Sequence, residues 1–192
     1  MSEEAVIEVT PRGGPVVRVM RPEEFDDVCD LCVAAFGGHS EIRVLLESLH
    51  SSWASDPDLS FVAEADGVLV GHVLYSRAFL DASRRLVDVL VLSPVAVRPD
   101  RQNMSIGTAL IIESLSALTT RPEPLVFLEG HPSYYPRFGF RAAIDLGFSA
   151  PSKRIPSAAF MVYPLPKYEH WMTGALVYPD AFWRADAVGL RE

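Results

Sequence analysis

Residues 92–140 constrain the fold of this chain more than any other stretch. They read LSPVAVRPDRQNMSIGTALIIESLSALTTRPEPLVFLEGHPSYYPRFGF. An apolar run, Leu92 to Val97, enters a charged turn, Arg98-Pro99-Asp100-Arg101-Gln102, and a helix opens near Ser105-Ile106-Gly107. A second apolar run, Leu125 to Leu128, follows, and then a Tyr-rich segment closed by Gly139-Phe140. A strand feeding a tight polar turn and a helix start makes an anion site. The first helical N–H groups have no intrahelical partner, and the helix dipole adds positive potential there. The stretch reads as a diphosphate seat.

A chain of 192 residues can bury one sizeable core, so a single domain over 15–192 is expected behind a loose tail, 1–14. Apolar residues at 49% and charged residues at 22% fit an ordinary globular protein rather than a disordered one. No apolar run approaches the ~20 residues of a membrane span. The acidic start, Met1-Ser2-Glu3-Glu4, has the wrong sign for a secretory signal, so the expected location is the cytoplasm, with no membrane partner. A net charge of −8 argues against nucleic acid, whose binding needs a positive surface.

Cys29 and Cys32 invite a redox or zinc reading, but no second pair completes a zinc site. They fall in the apolar series Phe25, Val28, Cys29, Cys32, Ala35, Phe36, one face of a helix. Core packing is the expectation.

Along the chain, strands are expected at Val6 to Val9 and Val16 to Met20. A helix starting at Arg21-Pro22-Glu23-Glu24 should stop at Gly37-Gly38, because Pro suits a first turn and acids suit its positive end. A second runs from Ser40-Glu41 to Asp56-Pro57, with Ile42, Leu45, Leu46, Leu49 and Trp53 at helical spacing. Strands follow at Ser60 to Glu64 and Val68 to Ala78, joined by the hairpin signal Ala65-Asp66-Gly67. Within Leu86 to Val97, Ser93-Pro94 predicts a bulge, since proline removes a ladder donor. A helix with Ile106, Leu110, Ile111, Leu115 and Leu118 on one face ends before Arg121-Pro122. Strand Leu125 to Glu129, a short helix around Pro132 to Arg137, and strands near Phe148, Ala159 to Tyr163 and Ala175 to Tyr178 complete the order.

The stretch 92–140 resembles the acyl-CoA-binding core of the GNAT acetyltransferase superfamily. The family's Q-x-x-G-x-G/A turn corresponds to Gln102-Asn103-Met104-Ser105-Ile106-Gly107, and its Y-x-x-x-G-F piece to Tyr135-Pro136-Arg137-Phe138-Gly139-Phe140. The resemblance implies an α+β fold: a mixed, mostly antiparallel sheet flanked by about four helices. It also implies acetyl-CoA as cosubstrate, without a metal, in a cleft between the fourth and fifth strands. The cofactor-binding residues it implies are Val95, Ala96 and Val97 toward the pantetheine, Gln102 to Thr108 (including Met104 and Ile106) toward the phosphates, and Tyr135 and Phe138. The chain departs from the pattern at Asn103, Met104 and Ser105, where the family has glycine, a basic residue and glycine. Asn103 tolerates left-handed angles, Ser105 is suited to cap the helix, and Arg98 or Arg101 is placed to restore the charge.

The implied activity is N-acetyl transfer from acetyl-CoA to a primary amine of a small molecule or protein, by direct attack in a ternary complex. The alternative is a catalytically silent acyl-CoA-binding module. Tyr135 matches the tyrosine that protonates the CoA thiolate, and a phenol stays protonated at neutral pH. A Val95 or Ala96 N–H is the oxyanion donor. The glutamate of the histone-acetylating branch is replaced here by Val91, leaving Glu129, His131 or a water chain as base. His39, Glu41 and Glu129 are the candidates for touching the acceptor. The C-terminal aromatics, Phe160, Tyr163, Tyr168, Trp171, Tyr178, Phe182 and Trp183, are expected to line the acceptor side or a homodimer surface.

Overall fold

The computed structural model describes residues 14–190. The strand expected at Val6 to Val9, and the tail up to residue 13, lie outside them. Strand β1 (Val16–Val19) leads through a short turn into helix α1 (Phe25–Ala35), and α2 (Glu41–His50) follows. Then come β2 (Ser60–Ala65), β3 (Val68–Ala82), β4 (Leu86–Val97), α3 (Ile106–Leu118) and β5 (Leu125–Glu129). The chain closes with β6 (Arg141–Ala142), β7 (Phe148–Ser149), β8 (Phe160–Pro164), β9 (Gly174–Val177) and α4 (Asp180–Arg184).

The strands form one sheet in the order β1-β2-β3-β4-β5-β8-β6, with β9 added to β3 and β7 to β9. Among the described residues only β4–β5 and β7–β9 are parallel, so the mixed, mostly antiparallel sheet is as expected. Asp66 and Gly67 alone join β2 to β3, at φ of 54° and 75°. Two positive φ values in a two-residue loop match the right-handed twist of the flanking strands.

The period-2 alternation of β3 divides the core. His72, Leu74, Ser76, Ala78 and Leu80 face α1 and α2, whereas Val73 and Tyr75 face α3. All five predicted apolar positions of α3 are buried against Val73, Tyr75, Leu90, Leu92 and Val126. Cys29 and Cys32 are fully buried in the α1 face, and burial raises their thiols to about 11 and about 12. Neither is a reactive thiolate.

Three expectations are corrected. Helix α2 stops at His50, short of Asp56, because Ser51 Oγ donates to Glu47 O and Ser52 Oγ to Leu49 O, each at 2.8 Å. The serines satisfy the last carbonyls, and Trp53 leaves the helix to stack on Phe79 at 4.7 Å. Strand β3 continues past Ala78 to Ala82 because residues Phe79 to Asp81 are paired on both sides, to β4 and to β9. Helix α4 is an addition to the expected order.

The bulge falls where the proline predicts it. Val73 pairs with Val95 and Tyr75 with Leu92, two steps on β3 against three on β4, so one residue is extra at Ser93-Pro94. Strand β4 pairs with β5 only at Leu90–Val126 and Val91–Phe127. Past that point the two strands part.

Candidate active site

Where β4 leaves β5, its outer edge has no strand partner among the described residues. Arg98 N–H donates to Val70 O at 2.9 Å, and Ala96 O lies 3.1 Å from where a Cβ on Gly71 would stand. Both groups therefore face β3. Main-chain direction alternates along a strand, so the N–H and C=O of Val95 and Val97 face outward. Gln102 Nε2 agrees with this by donating to Val97 O at 3.3 Å. Val95 and Val97 line a groove of about 650 Å³ at this position. Ala96, expected to share their role, turns its main chain into the sheet and its methyl into the α1 core.

The opposite wall is the turn into α3. Asn103 and Ser105 hold φ of 62° and 61°, the left-handed angles that glycine takes without strain. Asn103 behaves as expected. Ser105 does not cap the helix: from this backbone it makes no side-chain cap bond, and a left-handed angle costs a residue with a Cβ about 1 kcal/mol. The first intrahelical bond runs from Ala109 N–H to Ser105 O at 3.0 Å. The N–H groups of Ile106, Gly107 and Thr108 precede it, and all three residues line the groove. A Cβ on Gly107 would stand 3.1 Å from Tyr134 Oη, so that hydroxyl sits against the helix start. Met104 is 57% exposed and is not part of the groove wall.

The charges of the turn are coupled to one another. Arg98 grips Asp100 through Nε and Nη2 at 3.1 and 3.2 Å, and Arg101 Nε lies 3.7 Å from the same carboxylate. One aspartate thus engages both arginines assigned to the phosphates. Arg101 still lines the groove, and Arg137, which sequence reasoning missed, lines it as well. Its Nε donates to Tyr134 O at 2.9 Å and its guanidinium lies 4.0 Å over the Tyr134 ring. A charged residue between two aromatics in the Tyr-rich segment was the available signal.

Tyr135 also lines the groove, and burial pushes its hydroxyl up to about 12. It therefore stays protonated at neutral pH and has a proton to donate. His131 is exposed at the rim, its Nδ1 2.9 Å from Ser133 Oγ and accepting from Ser133 N–H at 3.4 Å. Phe138 stands behind Tyr134, 5.4 Å ring to ring, facing a separate hollow beside Tyr163.

Glu129 lies off the groove wall. Tyr178 donates to its Oε1 at 2.9 Å and Gly189 N–H to its Oε2 at 3.0 Å. Burial raises its pKa, and these two bonds offset only part of that rise. The carboxylate ties the C-terminal segment to the end of β5, so a free base there is not what the geometry offers. His39 and Glu41 are exposed, 4.0 Å apart, and neither lines the groove. The C-terminal aromatics largely enter the core: Phe160, Tyr178 and Phe182 are buried, whereas Trp183 is 43% exposed. Phe160, Tyr178 and Phe182 pack in one cluster with Phe127 and Phe148, and Tyr168 and Trp171 lie against it. Among the described residues, no cluster of three or more His, Cys, Asp or Glu could hold a metal. No helix among them is long and apolar enough to cross a membrane.

Comparison with known proteins bears on this geometry. A family model described as an acetyltransferase (GNAT) domain matches residues 16–143. An Escherichia coli (strain K12) protein named "Uncharacterized N-acetyltransferase YjhQ" is 34% identical over 154 residues, 78% of each chain. The fold is similar to that of Escherichia coli YhbS, a GNAT family N-acetyltransferase solved with CoA. That match has a TM-score of 0.78 at 23% identity, covering 91% of this chain and 95% of that one. A GNAT family acetyltransferase from Brucella melitensis, solved with acetyl-CoA, matches with a TM-score of 0.66 at 27% identity, covering 88% and 97%.

Proposed function

On the premise that the chain belongs to the GNAT acetyltransferase family, we propose that it moves an acetyl group from acetyl-CoA to a primary amine of a small molecule or protein. The amine attacks the thioester carbonyl directly in a ternary complex. The N–C bond forms, the C–S bond breaks, the amine proton passes to water, the thiolate takes a proton from Tyr135, and the proton released to water restores the phenol.

One observation carries this reading. The outward main chain of Val95 and Val97 and the N–H groups of Ile106 to Thr108 line a single groove at the point where β4 and β5 separate. An extended cofactor arm can add to the β4 edge as a strand would, while its diphosphate meets the helix start. Left-handed Asn103 and Ser105 keep the turn in the form that a glycine pair would give it. Val95 N–H is the oxyanion donor. Arg137 supplies the positive charge that Met104 does not, with Tyr134 Oη beside it. Aligning two reactants in one cleft supplies several kcal/mol of the barrier, so few catalytic side chains are needed, and the reading requires no carboxylate at Val91.

The test is a panel of amines with acetyl-CoA and a free-thiol readout, run on the native chain and Tyr135→Phe. Amine-dependent thiol release that falls at least tenfold in the variant, with acetyl-CoA binding retained, is the expected result. Retained binding with no turnover of any amine means a silent acyl-CoA-binding module.

A further inference from the structure

On the other face of the sheet, away from the groove, α1 and α2 close over β2 and β3 around a second cavity of about 160 Å³. Its walls are apolar: Val28 and Phe25 from α1, Leu46 and Leu49 from α2, Leu74 from β3. Its rim is formed by Pro22, His50 and Pro57. Phe25 and His50 stack there at 4.3 Å, offering a flat aromatic edge to anything that enters.

The floor is polar in one place. His72 is buried, with Nε2 2.9 Å from Ser60 Oγ and Nδ1 3.5 Å from Cys32 Sγ. Both ring nitrogens thus have partners. Ser76, 1% exposed, follows Leu74 on the same face of β3, and its Oγ has no hydrogen-bond partner among the described residues. Leaving a buried hydroxyl unpaired costs about 1–3 kcal/mol, so the position favours an occupant that bonds to it. Among the described residues, Asp56 is the one acid in the lining, and it is engaged by Arg77 and Arg121 at 2.8 Å each. The cavity therefore offers a cation no open carboxylate.

We propose that this cavity is a binding site for a small, uncharged aromatic molecule bearing one hydroxyl, which pairs with Ser76 Oγ. Size, apolar walls, a buried hydroxyl without a partner and a neutralised carboxylate all select that class. A cavity of similar size lined by apolar side chains holds one benzene ring. An ion would lose its hydration here without gaining a counter-charge. The site is independent of the acetyl-CoA reading, since it shares no lining residue with the groove.

The probes are phenol and benzene, followed by amide and methyl NMR shifts and by crystal soaking. Phenol is expected to shift Leu46, Leu49 and Ser76 and to appear in density with its hydroxyl on Ser76. Ser76→Ala should weaken phenol about fivefold, the loss of one hydrogen bond, and leave benzene unchanged. Leu46→Phe, which fills the space, should abolish both; should it fail to fold, Ser76→Ala alone decides. The proposal is overturned if neither probe shifts these residues, if soaking shows only water on Ser76, or if Ser76→Ala leaves phenol affinity unchanged.

Discussion

The Tyr135 ring lies directly on Gly130, so closely that a Cβ at position 130 would overlap its edge carbons. The glycine that follows β5 therefore fixes where the phenol stands. Gly130→Ala should displace Tyr135 and lower kcat about as much as Tyr135→Phe does, by about a hundredfold or more, the general-acid range. Steady-state kinetics on both variants and the double variant check this. The double variant should be no worse than Tyr135→Phe alone, because both changes remove one contribution.

Ser105 occupies a left-handed position that glycine fills without strain. Ser105→Gly should raise stability by roughly 0.5–1 kcal/mol, read as a higher urea midpoint. It should also tighten acetyl-CoA binding, since the Cβ leaves the approach to the helix start. Ser105→Val should do the reverse on both counts.

Arg137 should carry more of the diphosphate attraction than Arg98 or Arg101, which share Asp100. Arg137→Ala is expected to weaken acetyl-CoA about tenfold, with a shallower dependence on salt, because an exposed ionic contact is screened. Arg98→Ala should change the affinity less than threefold. Calorimetric titration at two salt concentrations separates them.

His72 sets a pH dependence. Burial lowers its pKa from 6.5 to about 3, so between those values the unfolded chain binds a proton that the folded chain does not. Its contribution to stability is therefore complete above about pH 6.5 and is lost progressively as pH falls toward 3. His72→Gln should flatten the decline of the urea midpoint between pH 6.5 and 4 relative to the native chain. An unchanged slope would mean that carboxylates alone account for it.

Much of the site was legible in the sequence because its physics is local. The Leu92–Val97 run, the Ser93-Pro94 interruption and the apolar spacing from Ile106 to Leu118 each dictate their own geometry. The strands therefore part and the helix starts where the residues indicate. What was not legible depends on which partner each side chain takes once the chain has folded. Asp100 engages both arginines only once the turn has folded, and Glu129 is occupied by Tyr178 and Gly189 from the far end of the chain. The aromatic count of the C-terminal region suggested a surface, yet Tyr178 and Phe182 stack at 4.8 Å inside the core. Helix α2 kept its apolar spacing as far as Trp53, and two serines ended it first.

The most direct measurement of the central claim is a crystal structure with acetyl-CoA together with calorimetric titration of the same protein. The account predicts saturable heat, the diphosphate within hydrogen-bond distance of the Ile106 to Thr108 N–H groups, and pantetheine amides paired with Val95 and Val97. Absence of heat at millimolar ligand, or a cofactor bound away from the gap between β4 and β5, would contradict it.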